Sequence, residues 1–248
     1  WRRIIADSMA ADALVGAPTT WVTENHDVRR APTRYGGRVA HREIATPEHL
    51  ALGRVRSLAA VHTILALPGT TYLFNGQELG LEEVIDLDDA EREDPHFHRT
   101  KGEHLGRDGC RVPMPWRRTG VGLGFGPDSG KGPWLSQPKH WSGLSVEAQV
   151  SDSTSTLSRV RAAIAVRRVR QALLRGDFAW EESLCRDGIV AFRRSLRGEK
   201  TVLCVANMGA NDTPVVHGEL LCASGDVRGN AAGGSVVPPD TTAWFLVD

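Results

Sequence analysis

The chain has 248 residues, 41% hydrophobic and 24% charged, with 30 Lys and Arg balancing 30 Asp and Glu. That length supports one large core or two ordinary ones, and zero net charge excludes a global field favouring nucleic acid or an anionic membrane. No stretch reaches the roughly 18 uninterrupted apolar residues of a membrane span, and no basic-then-apolar leader opens the sequence. The four cysteines, Cys110, Cys185, Cys204 and Cys222, form no Cys-x-x-Cys pair and no metal-ligand spacing. Free thiols in a reducing cytoplasm are the expected state, and a Cys204–Cys222 bridge is left open. The chain opens on Trp1 inside a helical pattern, so an upstream portion of the polypeptide is expected.

Residues 1–14 place Ile4, Ile5, Ser8, Met9 and Asp12 at helical spacing, and Gly16-Ala17-Pro18 ends the pattern. Thr19–Thr23 is a short apolar strand that breaks into Asn25-His26-Asp27, followed by Arg29, Arg30 and Arg34. A carboxylate, an imidazole and guanidiniums at a strand's end are how barrels and open α/β sheets place their chemistry. The plain alternative is a solvated loop in which Asn25 or Asp27 closes an Asx turn. Thr46-Pro47-Glu48 is a helix entry, with Thr as N-cap, Pro at the first position and an acid in the first turn. From Leu58 to Leu67 the helix is almost wholly apolar, and Pro68-Gly69 stops it. Thr70–Phe74 is a second short strand running into Asn75-Gly76-Gln77-Glu78. The repeated order of helix, buried strand and polar residues predicts βα units of a parallel barrel or sheet.

Residues 82–153 form a long irregular segment, which Trp116, Trp134 and Trp141, with Trp180 further on, mark as ordered and packed. Residues 157–174 predict a helix with an apolar stripe of Ala162, Ala165, Val166, Val169, Ala172 and Leu173; Arg161, Arg167, Arg168 and Arg170 fall on its solvated face. After Gly176 short β-rich runs separated by turn residues predict a small antiparallel sandwich. The domain boundary is placed there, giving 1–176 and 177–248.

The Gly120-to-Gly126 run before Gly130-Lys131 fails as a phosphate loop, because Phe125 and Gly132 stand where Gly and Ser or Thr are required. The nine histidines show no zinc-site spacing, and no Gly-x-Ser-x-Gly elbow is present. No cofactor or metal is expected.

One set of stretches holds together. Asn25-His26-Asp27-Val28-x-Arg30, the run Leu67–Gly80, Arg107-Asp-x-x-Arg111-x-Pro-Met-x-Trp116, and Ala191-Phe-Arg-Arg194 followed by Asn207 occur in order. Together they resemble the α-amylase family of glycoside hydrolases (glycoside hydrolase family 13), in its α-glucosidase and oligo-1,6-glucosidase branch. The likeness covers nearly the whole chain. It implies the last two βα units of a (β/α)8 barrel over 1–176, with a long loop at 82–153, followed by a small antiparallel β-sandwich over 177–248. The fold class is thus α/β plus all-β. The implied activity is that of a retaining α-glucosidase acting on α-linked gluco-oligosaccharides.

The resemblance implies that Asp27 stabilises the transition state. His26 would donate a hydrogen bond to the sugar, with Arg30 and Arg111 completing the substrate-binding set. Arg30 and Asn25 would also orient the loop, Arg34 would brace it, and Glu78 would support the barrel rim. Arg111 has an equal alternative as a structural ion pair with Asp108 or another loop acid. The run Phe74-Asn75-Gly76-Gln77 and the basic Arg29-Arg30-Ala31 depart from the family pattern. A retaining glycosidase needs two carboxyl groups about 5–5.5 Å apart, a nucleophile and an acid/base. The family carries these on strands four and five, which no stretch here resembles. Glu24 is the tempting substitute, but it belongs to the strand-seven motif. The expectation is therefore a C-terminal fragment, inactive alone, whose partner is the missing N-terminal part of the same polypeptide. A trehalose- or sucrose-rearranging transglycosylase and an inactive carbohydrate-binding remnant are the alternatives.

Overall fold

The computed structural model describes every residue except 38, 39, 41 and 232. In chain order the elements are α1 (Arg2–Ala13), β1 (Thr20–Trp21), α2 (Ala31–Tyr35), α3 (Pro47–Ala66), β2 (Thr70–Thr71), α4 (Pro95–Arg99), α5 (Val146–Gln149), α6 (Thr156–Val169) and α7 (Gln171–Arg175). The strands β3 (Asp177–Trp180), β4 (Ile189–Ser195), β5 (Thr201–Asn207), β6 (Thr213–Val215), β7 (Glu219–Ala223), β8 (Arg228–Gly229), β9 (Ser235–Val237) and β10 (Thr241–Val247) follow. The chain forms two compact units. One comprises Trp1–Val22, Leu58–Tyr72 and Arg159–Asp248; the other comprises Thr23–Ser57 and Leu73–Ser158.

In the first unit, β1 and β2 pair in parallel, Thr20 with Thr70 and Trp21 with Thr71. Their approach depends on Gly69, whose φ is +101° and where a Cβ would lie 2.1 Å from the Thr19 carbonyl oxygen. The five-stranded antiparallel sheet runs β3-β4-β5-β10-β7, and β6-β9-β8 form a second sheet. Ile189, Ala191, Leu203, Val205, Ala243 and Phe245 pack with Val215 and Val237 of the smaller sheet into one core. That is the expected antiparallel sandwich. The opposite face of β10 meets the second half of α3: Thr242 donates to the Ala59 carbonyl at 2.9 Å and the Trp244 indole to the His62 carbonyl at 3.1 Å. β5 is consequently buried on both faces, which is why Val202–Ala206 reads as a continuous apolar run instead of alternating.

The C-terminus of α3 and the turn after it are closed by two arginines. Arg167 donates to the carbonyls of Leu65, Leu67 and Gly69, the last two at 3.1 and 2.8 Å. Arg194, 1% exposed, donates to Ala66 at 2.9 Å and Gly176 at 3.0 Å. They satisfy carbonyls that a helix end leaves without intrahelical partners. This corrects the sequence reading of α6. Its buried face carries Leu157, Val160 and Ala163, whereas Ala162, Ala165 and Val169 are exposed and Arg167 is half-buried. The small apolar side chains misplaced the stripe, and the stem of Arg167 lets a charged residue sit on the covered side.

All four cysteines are free. Cys204 and Cys222 face Trp244 from opposite neighbouring strands, so they stand two interstrand spacings apart, about 10 Å, beyond the reach of a disulfide.

The second unit has little regular structure among its described residues, and Leu79, Leu81, Val84, Leu87, Val112, Met114, Leu135, Trp141 and Leu157 pack into a core. Of the tryptophans expected to order segment 82–153, only Trp141 is buried; Trp116 and Trp134 are about half exposed. The order comes instead from buried polar hubs. Glu82 accepts from Arg54 at 2.7 Å, from the Trp141 indole at 2.9 Å, and from His140. Arg92, also buried, donates to the carbonyls of Ile85, Leu87 and Leu105.

Candidate active site

The stretch after β1 turns sharply. The Asn25 side-chain oxygen accepts from the Asp27 amide at 2.8 Å, the Asx turn that the sequence allowed. The turn presents His26 and Asp27 outward, with their side chains 64% and 50% exposed. Arg30 then N-caps α2, with Pro32 in its first turn. Two carboxylates hold this entry: Glu24 Oε1 accepts the Ala31 amide at 2.8 Å, and Glu83 Oε2 accepts the Arg30 amide at 3.0 Å. A five-residue helix without a side-chain cap of its own would otherwise leave these donors buried and unpaired. Arg34 braces the loop from the far side, donating to the carbonyls of Arg29 and Thr23.

Asp27 is held by the loop carrying the Arg-Asp-x-x-Arg motif. Arg107 Nη1 lies 2.8 Å from Asp27 Oδ1, while its Nε bonds Asp94 Oδ2 at 2.7 Å. Arg111 Nε donates to the His26 carbonyl at 3.0 Å, and its Nη2 reaches Asp27 Oδ1 at 3.4 Å. The His26 ring stands 3.4 Å from the other oxygen, Oδ2. The bond from Arg107 holds the Asp27 carboxyl below its ordinary value. It does the same, more strongly, for Asp94. Asp27 is therefore a fixed anion with one oxygen pinned by guanidiniums and the other facing the imidazole. Such a group can stabilise developing positive charge or accept from sugar hydroxyls without rearranging.

Arg111 pairs with Asp27, not with Asp108, whose carboxylate accepts the amides of Glu93 and Asp94. Arg30 differs from the substrate-binding role expected of it. It is 1% exposed, donates to the Asn75 carbonyl at 3.0 Å, lies 3.6 Å from Glu24 and stacks 4.9 Å above Phe74. With no surface to offer a ligand, it anchors the loop. Glu24 is buried too, and burial pushes its carboxyl up. Glu78 sits half-buried on the turn Gln77–Leu79.

Sequence reasoning did not single out Arg107, Asp94 or Glu83. Arg107 stood inside a quoted motif. Asp94-Pro95 is a readable helix start, since Asp94 accepts the His96 amide at 2.8 Å as the N-cap of α4. Glu83 had no such signal, because it acts on a main-chain amide. Among the described residues no group of three or more His, Cys, Asp or Glu could hold a metal ion, and no helix is long and apolar enough to cross a membrane.

Comparison with known proteins gives the family. The family model "Alpha amylase, catalytic domain" matches residues 1–176. A probable α-glucosidase of Rhizobium meliloti is 31% identical over 188 residues, covering 76% of this chain and 31% of that protein. A trehalose synthase/amylase of Mycobacterium tuberculosis is 32% identical over 158 residues, covering 61% of this chain and 23% of that protein. The crystal structure of an α-glucosyl transfer enzyme, XgtA, superposes with a TM-score of 0.73 at 29% identity, over 97% of this chain and 43% of that one. The chain thus spans less than half the length of these relatives. With residues 1–176 matched, the chain belongs to the α-amylase catalytic-domain family of glycoside hydrolases.

Proposed function

We propose that this chain is the C-terminal part of a retaining α-glucosidase acting on α-linked gluco-oligosaccharides in the cytoplasm, and that Asp27 stabilises its transition state. Residues 1–176 would supply the last two βα units of the barrel, with residues 177–248 as the β-sandwich that follows them in the chain. The observation that carries the reading is Asp27 itself: half-exposed, ionised and oriented by Arg107 and Arg111. An oxocarbenium-like transition state gains from a fixed negative charge and from sugar hydrogen bonds that tighten as it forms. His26, exposed beside Asp27, would donate to a sugar hydroxyl, and Arg111 would complete the pocket wall. The nucleophile and the acid/base would come from earlier strands of the same polypeptide. Four free thiols accord with a reducing compartment.

The test is Asp27→Asn in the complete polypeptide with a chromogenic α-glucoside. The amide keeps the shape and loses the charge, so kcat should fall at least ~100-fold while the unfolding midpoint moves little. An unchanged kcat sinks the assignment. Turnover by the present chain alone, abolished by Asp27→Ala, would overturn the division of the site. The relatives named for trehalose synthesis and glucosyl transfer favour a second reading, a transglycosylase. Free glucose against transferred glucose among the products separates the two.

A further inference from the structure

Glu83 joins the two loops that make the candidate site. Its side chain accepts the Arg30 amide at 3.0 Å, three residues beyond Asp27 on the first loop. Its own amide donates to Thr33 Oγ1 at 2.9 Å, so side chain and main chain grip the start of α2 together. On its other flank lies the second loop, which delivers Arg107 and Arg111. The Val84 amide donates to the Gly109 carbonyl at 3.2 Å. At Gly109, within the Gly106-Arg-Asp-Gly turn, a Cβ would stand 2.6 Å from Glu83 Oε1 and 2.4 Å from the Val84 carbonyl oxygen. The glycine is thus the residue that lets the arginine-bearing loop close against this carboxylate.

Nothing about Glu83 suits a packing role. It lines a cavity of 540 Å³ together with Arg29, Arg92 and Arg107. Burial pushes its carboxyl up to about 7, against the opposing pull of the Arg30 amide and of Arg30 and Arg29; Glu24 adds to the rise. A half-buried acid of this kind costs stability unless its oxygens are hydrogen-bonded. It stands between the Asp27 turn and the Gly109 turn that carries the guanidiniums orienting Asp27.

We propose that Glu83 is a positioning residue for Asp27, acting through the Arg30 main chain and the Gly109 turn. The inference rests on the role of Asp27 given above. It requires an acceptor of the right reach at position 83 and does not require the negative charge.

Glu83→Gln and Glu83→Asp, made in the complete polypeptide beside Asp27→Asn, separate those requirements. The glutamine oxygen reaches the same amide, so kcat should stay within about threefold of wild type. Aspartate keeps the charge but is one methylene short, and kcat should fall roughly 10–100-fold with KM changed less than about threefold, the signature of a misplaced group. Near-UV circular dichroism and the thermal midpoint establish that each variant is folded. If Glu83→Asp does not fold, Thr33→Val replaces it; that change removes the acceptor of the Glu83 amide, and a roughly 3–10-fold loss in kcat is expected. A folded Glu83→Asp (or, in its place, Thr33→Val) with kcat within twofold of wild type overturns the proposal. So does a Glu83→Gln variant that falls as far as the aspartate. If Asp27→Asn is silent, the reading of the site fails instead; if it is severe and the position-83 variants are silent, only this inference fails.

Discussion

Glu82 offers a quantitative test of how the second unit is held together. Its buried carboxylate accepts from Arg54, His140 and Trp141. Burial alone raises its pKa; the three donors and the Arg54 charge outweigh that and bring it from 4.5 down to about 2. At about 1.4 kcal/mol per tenfold change, the ionised form stabilises the folded state by ~3 kcal/mol. Because the folded pKa is depressed, this stabilisation is complete above the unfolded value near 4.5 and is lost as pH falls towards 2. Glu82→Gln keeps an acceptor for the Trp141 indole and removes the charge. At pH 7 it should cost ~2–4 kcal/mol in urea unfolding followed by tryptophan fluorescence, where the fully buried Trp141 reports. The difference between wild type and variant should shrink as pH falls below 4.5 and vanish near 2. A difference that is the same at pH 3 and pH 7 refutes the electrostatic account and leaves packing as the cause.

Two further outcomes are expected. Arg107→Met removes the principal bond that depresses Asp27, so the acid limb of kcat against pH in the complete polypeptide should move upward, with kcat lowered roughly tenfold by lost orientation; an unmoved limb would detach Arg107 from Asp27. In the first unit, burial holds the His62 pKa down at about 4, so the unfolded state binds the proton more tightly. The contribution of His62 to stability should therefore be complete above pH 6.5 and fall by ~3 kcal/mol between 6.5 and 4. It is read as the difference between wild type and His62→Gln in urea unfolding at each pH, and a difference that stays constant over that range would refute it.

Much of this architecture is written locally in the sequence. Thr46-Pro47-Glu48 and Pro68-Gly69 bracket α3 because caps and breakers act within a turn of where they stand. The parallel pairing of β1 with β2 follows from the same order of elements that suggested βα units. What was not legible depends on distance along the chain. Arg30 and Arg167 carry the mark of solvent-exposed residues, yet both are drawn inward by carbonyls that no local pattern reveals. Arg107 meets Asp27 across 80 positions. Glu83 bonds a backbone amide, a partner every residue but proline possesses, so its identity leaves no trace in composition or spacing. The Asx turn at Asn25 and an outward-facing Asp27 are not alternatives, because the turn is what presents Asp27 outward.

The two arginines at the end of α3 have a consequence for how this chain can vary. The carbonyls of Leu65 and Ala66 are bound by side chains 102 and 128 positions further along. Together with those of Leu67 and Gly69, they form a row whose spacing is matched to two rigid forks. A residue inserted between Leu65 and Gly69 would carry at least one carbonyl out of register with its guanidinium. Lysine, whose three donors share one nitrogen, lacks the two separated nitrogens with which Arg167 reaches Leu67 and Gly69. The length of this five-residue corner is thereby set by residues of α6 and β4, and insertions and deletions are excluded from it by partners that arrive long after it has been synthesised.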